Sequence, residues 1–205
     1  MDEAPQLFAD ALALATTLGD ESLQALIRVN MAELESEMGQ HARALELVKP
    51  IETESHRHFA LYWLVNGGAY RIALGDIAGA RIAAHKALRL ARGVNVAEAT
   101  FAMQHLAIVA ALHGDARRGA RLRGYVDASY RIVNYELQGT DRRTFDILMT
   151  ALHEKLSDAE IESLAAEGAQ LSEDQAGAEA LNVDLVVATQ SPVSADRDID
   201  LAYSE

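Results

Sequence analysis

Three glycine turns recur along the chain at nearly even intervals: Met38-Gly39-Gln40, Leu74-Gly75-Asp76 and His113-Gly114-Asp115. They lie 36 and 39 residues apart. A second junction repeats with them. The run Ala11-Leu12-Ala13-Leu14-Ala15 before Gly19 returns 76 residues later as Ala87-Leu88-Arg89-Leu90-Ala91 before Gly93, while the two glycine intervals total 75. Two separate landmarks thus mark one double period. A period of about 20–50 residues is the mark of stacked supersecondary units, none of which buries its apolar face alone.

The segments between the landmarks have helical length and helical periodicity. Leu23, Leu26, Ile27, Met31 and Leu34 share one face, as do Leu45, Val48 and Ile51. Leu61, Leu64, Val65, Gly68, Ile72 and the small residues Ala80, Ala84 and Ala87 continue the pattern. Gly39, Gly75 and Gly114 suit the position just past a helix end, where φ is positive and a Cβ is penalised. Asp20, Asp76 and Asp115 suit the caps or first turns of the helices that follow. Only three prolines interrupt the chain, and Ala, the best helix former, dominates its apolar half. The spacing predicts an all-α chain with helices at 6–18, 21–38, 41–54, 57–74, 77–92, 96–113 and 116–134, arranged as antiparallel pairs in a solenoid.

The pattern changes after Tyr135. Gln138-Gly139-Thr140-Asp141 reads as a break and a new cap, and Arg142 to Leu156 is amphipathic, with Phe145, Leu148, Met149 and Leu152 on one face. Ser157-Asp158-Ala159-Glu160 has the form of a capping box opening a short helix to about Ala169. Ser172-Glu173-Asp174-Gln175 opens another, to about Thr189, whose end at Val183–Val187 reads equally as strand. The organisation expected is repeats over 1–134, C-terminal capping helices over 135–190, and a disordered acidic tail over 191–205.

Charge is divided along the chain. Residues 1–55 carry −8, residues 56–143 carry +7 and residues 144–205 carry −12. A basic middle would meet either an acidic partner or, the reading favoured here, the acidic C-terminal part of the same molecule. With no cysteine, disulfides, thiolate catalysis and Cys-ligated metal sites are excluded. The acidic start Met1-Asp2-Glu3 is unlike a secretory leader, no apolar run has membrane-spanning length, and a cytoplasmic protein is expected.

The repeats resemble tetratricopeptide repeats. The first complete unit has Asn30, Ala32, Gly39, Ala44 and Leu45 at family positions, the second Leu64, Asn66, Gly68, Tyr70, Gly75 and Ala80, and the third Leu106, Ala107, Gly114 and Asp115. His105 stands in place of the Asn in the third unit and Gly119 in place of the Ala, and the Pro that often closes a unit is missing. Junctions such as Ala11–Asp20, and the stretch from Arg121-Leu122-Arg123-Gly124-Tyr125 through Glu167-Gly168-Ala169-Gln170-Leu171-Ser172 to Ala180-Leu181, are similar to the C-terminal repeat regions of MalT-like signal-transduction ATPases of bacteria. That resemblance implies a non-enzymatic protein-binding module, the sensor or regulatory part of such a transcription regulator. Upstream ATPase and DNA-binding domains of the same polypeptide would then be partners. The alternative is a free-standing peptide-binding adaptor. Because the chain opens on what reads as the second helix of a unit, the Leu7, Leu12 and Leu14 face is expected to need an upstream repeat or a partner, and would allow oligomers.

No catalytic pattern stands out. Phosphate-binding loops are absent, and Gly67-Gly68, inside a helix, reads as a site of close helix approach. His56 and His58 lie two apart and diverge on a helix, and Glu54 does not complete a metal site. His85, His105, His113 and His153 are single. Neither a catalytic residue, a metal nor a cofactor is expected. Arg117, Arg118, Arg121 and Arg123, with Tyr125 and Tyr130 beyond, would suit nucleic acid or an acidic peptide. The strongly negative whole argues instead for pairing within the molecule.

In tetratricopeptide arrays the first helices of the units line a concave groove. The equivalent positions here are Asn30, Asn66 and His105, with Glu33, Tyr62, Ala69 and Gln104 around them. A ladder of amides there would grip an extended peptide, with Tyr62 supplying apolar contact. Alternatively the Asn side chains satisfy neighbouring backbone groups. The Lys/Arg carboxylate clamp of some family members is missing, since these positions hold Val29, Asn30, Glu33, Val65 and Asn66.

Overall fold

The structure, a computed structural model, describes residues 3–49 and 57–183. Among these, ten helices and no strands form. They are α1 Glu3–Thr17, α2 Glu21–Glu37, α3 His41–Val48, α4 Arg57–Ala73, α5 Ile77–Ala91, α6 Val96–Leu112, α7 Ala116–Ile132, α8 Gly139–His153, α9 Asp158–Gly168 and α10 Glu173–Leu181. The helix expected over 41–54 is seen to Val48, and its remainder lies in the residues outside the described set. The helix expected to run from Ser172 to about Thr189 needs correction: it ends at Leu181, with Asn182 as its cap and Val183 already outside it. The stretch beyond Val183 and the tail over 191–205 lie outside the described residues.

The expected local signals are present. Gly39, Gly75 and Gly114 have φ of 78°, 75° and 97°, which only glycine adopts without strain. The carboxylates of Asp20, Asp76 and Asp115 accept from the amides of Leu23, Gly79 and Arg118 at 2.9, 2.9 and 3.1 Å. Each satisfies one of the amides that a helix start leaves unpaired, worth roughly 1 kcal/mol. Ser157 with Glu160, and Ser172 with Gln175, close reciprocal capping boxes.

These tight turns fold α2 onto α3, α4 onto α5 and α6 onto α7, and α4 packs on both α2 and α6. Alanine makes the seams: Ala80, Ala84, Ala87, Ala91, Ala102, Ala107 and Ala120 are all fully buried. The core centres on α6. Every residue from Ala102 to Ala111 is buried, because α4, α5, α7, α8 and α10 enclose it. Gly68 permits the α4–α6 approach, since a Cβ there would lie 3.0 Å from the His105 ring. The α7–α9 crossing is closer still: a Cβ at Gly124 would fall 2.0 Å from the Ala165 carbonyl oxygen, and one at Gly168 would fall 1.8 Å from that of Arg121.

Two sequence expectations for α8 need correction. It starts at Gly139, three residues before Arg142. Its buried stripe is Thr140, Thr144, Leu148, Ala151 and Leu152, so Phe145 and Met149 sit at the margin rather than at the centre of the packed face. The stripe is rotated because its first turns meet a polar surface.

The basic run of α7 is paired within the molecule. Arg123 meets Asp127 at 2.9 Å and Glu162 at 3.0 Å, Arg121 donates to Glu179 at 2.9 Å, and Arg117 lies 3.6 Å from Glu160. On α5, Arg92 meets Asp174 at 2.7 Å. Arg123–Asp127 is largely buried and lies within α7. The pairs that reach α9 and α10 have at least one partly exposed partner and each contributes only about 0–1 kcal/mol, so they orient those helices while the glycine crossings and buried apolar groups fix them. Among the described residues no helix is long and apolar enough to cross a membrane.

Candidate functional site

Counting back from each turn glycine gives equivalent positions on α2, α4 and α6. Ten before lie Val29, Val65 and Gln104; nine before, Asn30, Asn66 and His105; six before, Glu33, Ala69 and Ile108. Thirteen before lie Leu26, Tyr62 and Phe101. This shared face, expected to be a free groove, is divided in two by α8, which packs on α2, α4 and α6 together.

The covered half is held by a polar network. Thr140 donates to Glu33 Oε1 at 2.7 Å, and Tyr70 donates to the other oxygen of the same carboxylate at 3.1 Å. Arg143 donates to the hydroxyls of Ser36 and Thr140 at 3.2 and 3.0 Å. The Ser36 hydroxyl also lies 3.2 Å from Nδ1 of His41. Toward α6, Gln104 donates to Thr144 at 2.7 Å and to the Asp141 carbonyl oxygen at 3.2 Å, and its own oxygen accepts from Tyr130 at 3.0 Å. Tyr135 donates to the Asp141 carboxylate. A buried network satisfied in this way fixes register, because each lost partner would leave a desolvated polar group.

Burial pushes the carboxyls of Glu98 and Asp141 above their ordinary range, and the Asp141 charge adds to the effect on Glu98. Burial and the neighbouring Glu33 carboxylate hold Tyr70 neutral. Burial, then Arg143, lowers His41.

The six residues singled out in the sequence separate accordingly. Asn30 is exposed and Asn66 half-buried. Tyr62 is open, at 53 % exposure, and Leu26, its counterpart on α2, is 45 % exposed. Glu33 is half-buried and engaged by α8. Gln104 and His105 correct the expectation: each is 1 % exposed and presents nothing to a partner. Gln104 is sealed by α8. His105 is turned into the α4–α6 contact at Gly68, where neither ring nitrogen finds a hydrogen-bond partner. Burial there lowers its pKa to about 4. The amide ladder therefore stops at Asn66.

The uncovered half runs from Leu26 through Tyr62 to Phe101, which belongs to an aromatic group with Tyr130 and Tyr135 at centroid distances of 5.8 and 5.4 Å. Beside it an open cleft of about 390 Å³ is lined by Tyr135, Leu137, Phe145, Arg131 and Arg142 among others. Sequence reasoning missed Ser36, Thr140, Arg143 and Thr144. The available signal was the pair Thr140 and Thr144, one helical turn apart and in line with Leu148 and Leu152.

Among the described residues no group of three or more His, Asp or Glu converges as a metal site would require. Comparison with protein-family models, with curated proteins and with solved structures found no match.

Proposed function

We propose that this chain is a non-enzymatic protein-interaction module of tetratricopeptide type. Its working surface is the uncovered half of the α2–α4–α6 face. The observation that carries this reading is the register of Leu26, Tyr62 and Phe101, which sets one apolar side chain per unit in line, with Leu26 and Tyr62 exposed and Phe101 half-buried against the core at the end of the line. Asn30 and Asn66 flank that line and supply donors and acceptors for a peptide backbone. Exposed tyrosine on rigid helices is well suited to anchoring a partner, because it offers large contact area at small entropic cost. The resemblance of the sequence to MalT-like regulators is what supports reading such a module as the cytoplasmic sensor or regulatory region of a bacterial signalling ATPase. An ATPase encoded in frame with this chain would favour that context over a free-standing adaptor.

The test is a peptide-display selection on the full chain, followed by titration of the selected peptides. Tyr62→Ala with Asn66→Ala should weaken binding by about 30-fold or more, as expected for loss of a tyrosine anchor. Unchanged affinity in that variant, with binding lost instead on substitution at the α5 or α9 surface, would contradict the assignment.

A further inference from the structure

The acid-on-base pairing of the C-terminal helices follows a path. Helix α10 begins where Arg92 at the end of α5 meets Asp174. It continues past Arg121, which holds Glu179, to Asn182, whose carbonyl oxygen accepts from Arg118 at 2.8 Å. Just past the helix end, the carbonyl oxygen of Val183 accepts from Arg81 at 2.7 Å near the start of α5. Helix α10 thus runs against the direction of α5, and the chain leaves it beside the first turns of that helix.

What lies ahead on the outer side of α5 is both basic and apolar. Ile82 is 67 % exposed and Leu90 49 % exposed. Between them Lys86 lies over the Trp63 ring, 5.5 Å from its centroid. With Arg81, His85 and Arg89 these residues line a surface depression of about 450 Å³.

The sequence that follows Val183 complements that face. Residues 184–205 carry five acidic side chains against one Arg, and over 196–203 Asp196, Asp198 and Asp200 are interleaved with Ile199, Leu201 and Tyr203. Helix α5 is 15 residues long, or about 22 Å at ~1.5 Å per residue. The twelve residues from 184 to 195 span up to ~40 Å when extended, so the acidic run reaches Lys86 and Arg89 without strain. Tethering also raises the local concentration of the segment to the millimolar order, so weak contacts suffice.

We propose that the outer face of α5, formed by Ile82, Lys86, Arg89 and Leu90, is a docking surface for residues 184–205 of the same chain. The segment continues, past the end of α10, the pairing that seats α10 itself. The face would accept an acidic, apolar-interleaved peptide from another protein by the same chemistry, in competition with the chain's own segment.

The chain has three lysines, Lys49, Lys86 and Lys155, which makes zero-length carbodiimide cross-linking of the full-length protein selective. Peptide mapping of the monomer should join Lys86 to Asp196, Asp198, Asp200 or Glu205, at least about fivefold more than it joins Lys49 or Lys155 to the same residues. The preference should vanish near 1 M salt, where the screening length is about 3 Å. Asp196→Asn, Asp198→Asn and Asp200→Asn together should lower the remaining link from Lys86 to Glu205 to the level of Lys49 and Lys155. Equal linking to all three lysines, linking found only between two copies, or an unchanged Lys86–Glu205 link in the triple variant would each overturn the proposal.

Discussion

At its C-terminal end the row of paired helices is closed by three further helices, whereas at its N-terminal end α1 rests on α2 and buries one residue, Ala15. The two ends use different chemistry. Helices α8 to α10 bring capping boxes, glycine crossings, a polar network and ion pairs to the last units. Helix α1 leaves Leu7 and Leu14 exposed, the turn after it Leu18, and α2 beside it Leu23 and Leu26. Stacked units bury their apolar faces only on one another, so an array finishes cleanly where its last unit is given a different, partly polar cover. The C-terminal helices supply that cover here and, through α8, also decide how much of the α2–α4–α6 face remains open.

Four outcomes would break or sharpen this contrast. The largest effect is expected at the α7–α9 crossing. Gly168→Val places atoms where the Arg121 carbonyl oxygen stands, so the helices must part, at a cost of about 3 kcal/mol or more. Urea unfolding measures it, and a loss below ~1 kcal/mol would show that the C-terminal cover is loosely fitted.

The second concerns pH. His105 is neutral when folded, with its pKa lowered to about 4 from 6.5. The unfolded chain therefore takes up a proton as pH falls through 6.5, while the folded chain does so only near 4. Stability from this group is complete above pH 6.5 and is lost progressively down to pH 4, by ~3 kcal/mol in all. Glu98 and Asp141 act in the opposite sense, since their raised values favour protonation of the folded state. His105→Gln isolates the histidine: the stability difference between wild type and variant should shift by that amount between pH 7 and pH 4. A difference that does not change with pH would place His105 in contact with water.

Third, Thr144→Val leaves the Gln104 amide short of a partner within the buried network, at a cost of about 1–3 kcal/mol. It should also raise hydrogen exchange in the first turns of α8. Smallest is Leu14→Ser at the other end. Leu14 is 60 % exposed, so the change should fall within ~0.5 kcal/mol of zero and should improve solubility.

The contrast also explains what the sequence could convey. Gly39, Gly75, Gly114, Asp20, Asp76 and Asp115 act within a few residues of themselves, so spacing alone placed six of the seven expected helices to within a few residues of where they lie, and the start of the seventh, at His41. Ser157 and Ser172 were legible for the same reason. The opposite charges of α7 and the C-terminal segment announced a pairing, although not that Arg121 takes Glu179 and Arg123 takes Glu162. The cover formed by α8 was hidden, because its contact with α2 lies 107 residues away in sequence and its inward stripe opens with two threonines. Gln104 and His105 were expected outward because family register says so. They are buried because Gly68 and Thr144 bring other helices onto them. Asn30 and Tyr62 remain exposed and Asn66 half-buried.

The central claim is that α8 divides the α2–α4–α6 face into a sealed half and an open half. Hydroxyl-radical footprinting of the native chain, read tyrosine by tyrosine by mass spectrometry, addresses it directly. Tyr62 is half exposed, while Tyr70 and Tyr130 are buried within or beside the α8 network. The account predicts that Tyr62 is modified readily, with Tyr70 and Tyr130 slower by about tenfold, in keeping with burial under a helix that opens only by local unfolding. Modification of Tyr70 and Tyr130 at the rate of Tyr62 would contradict it.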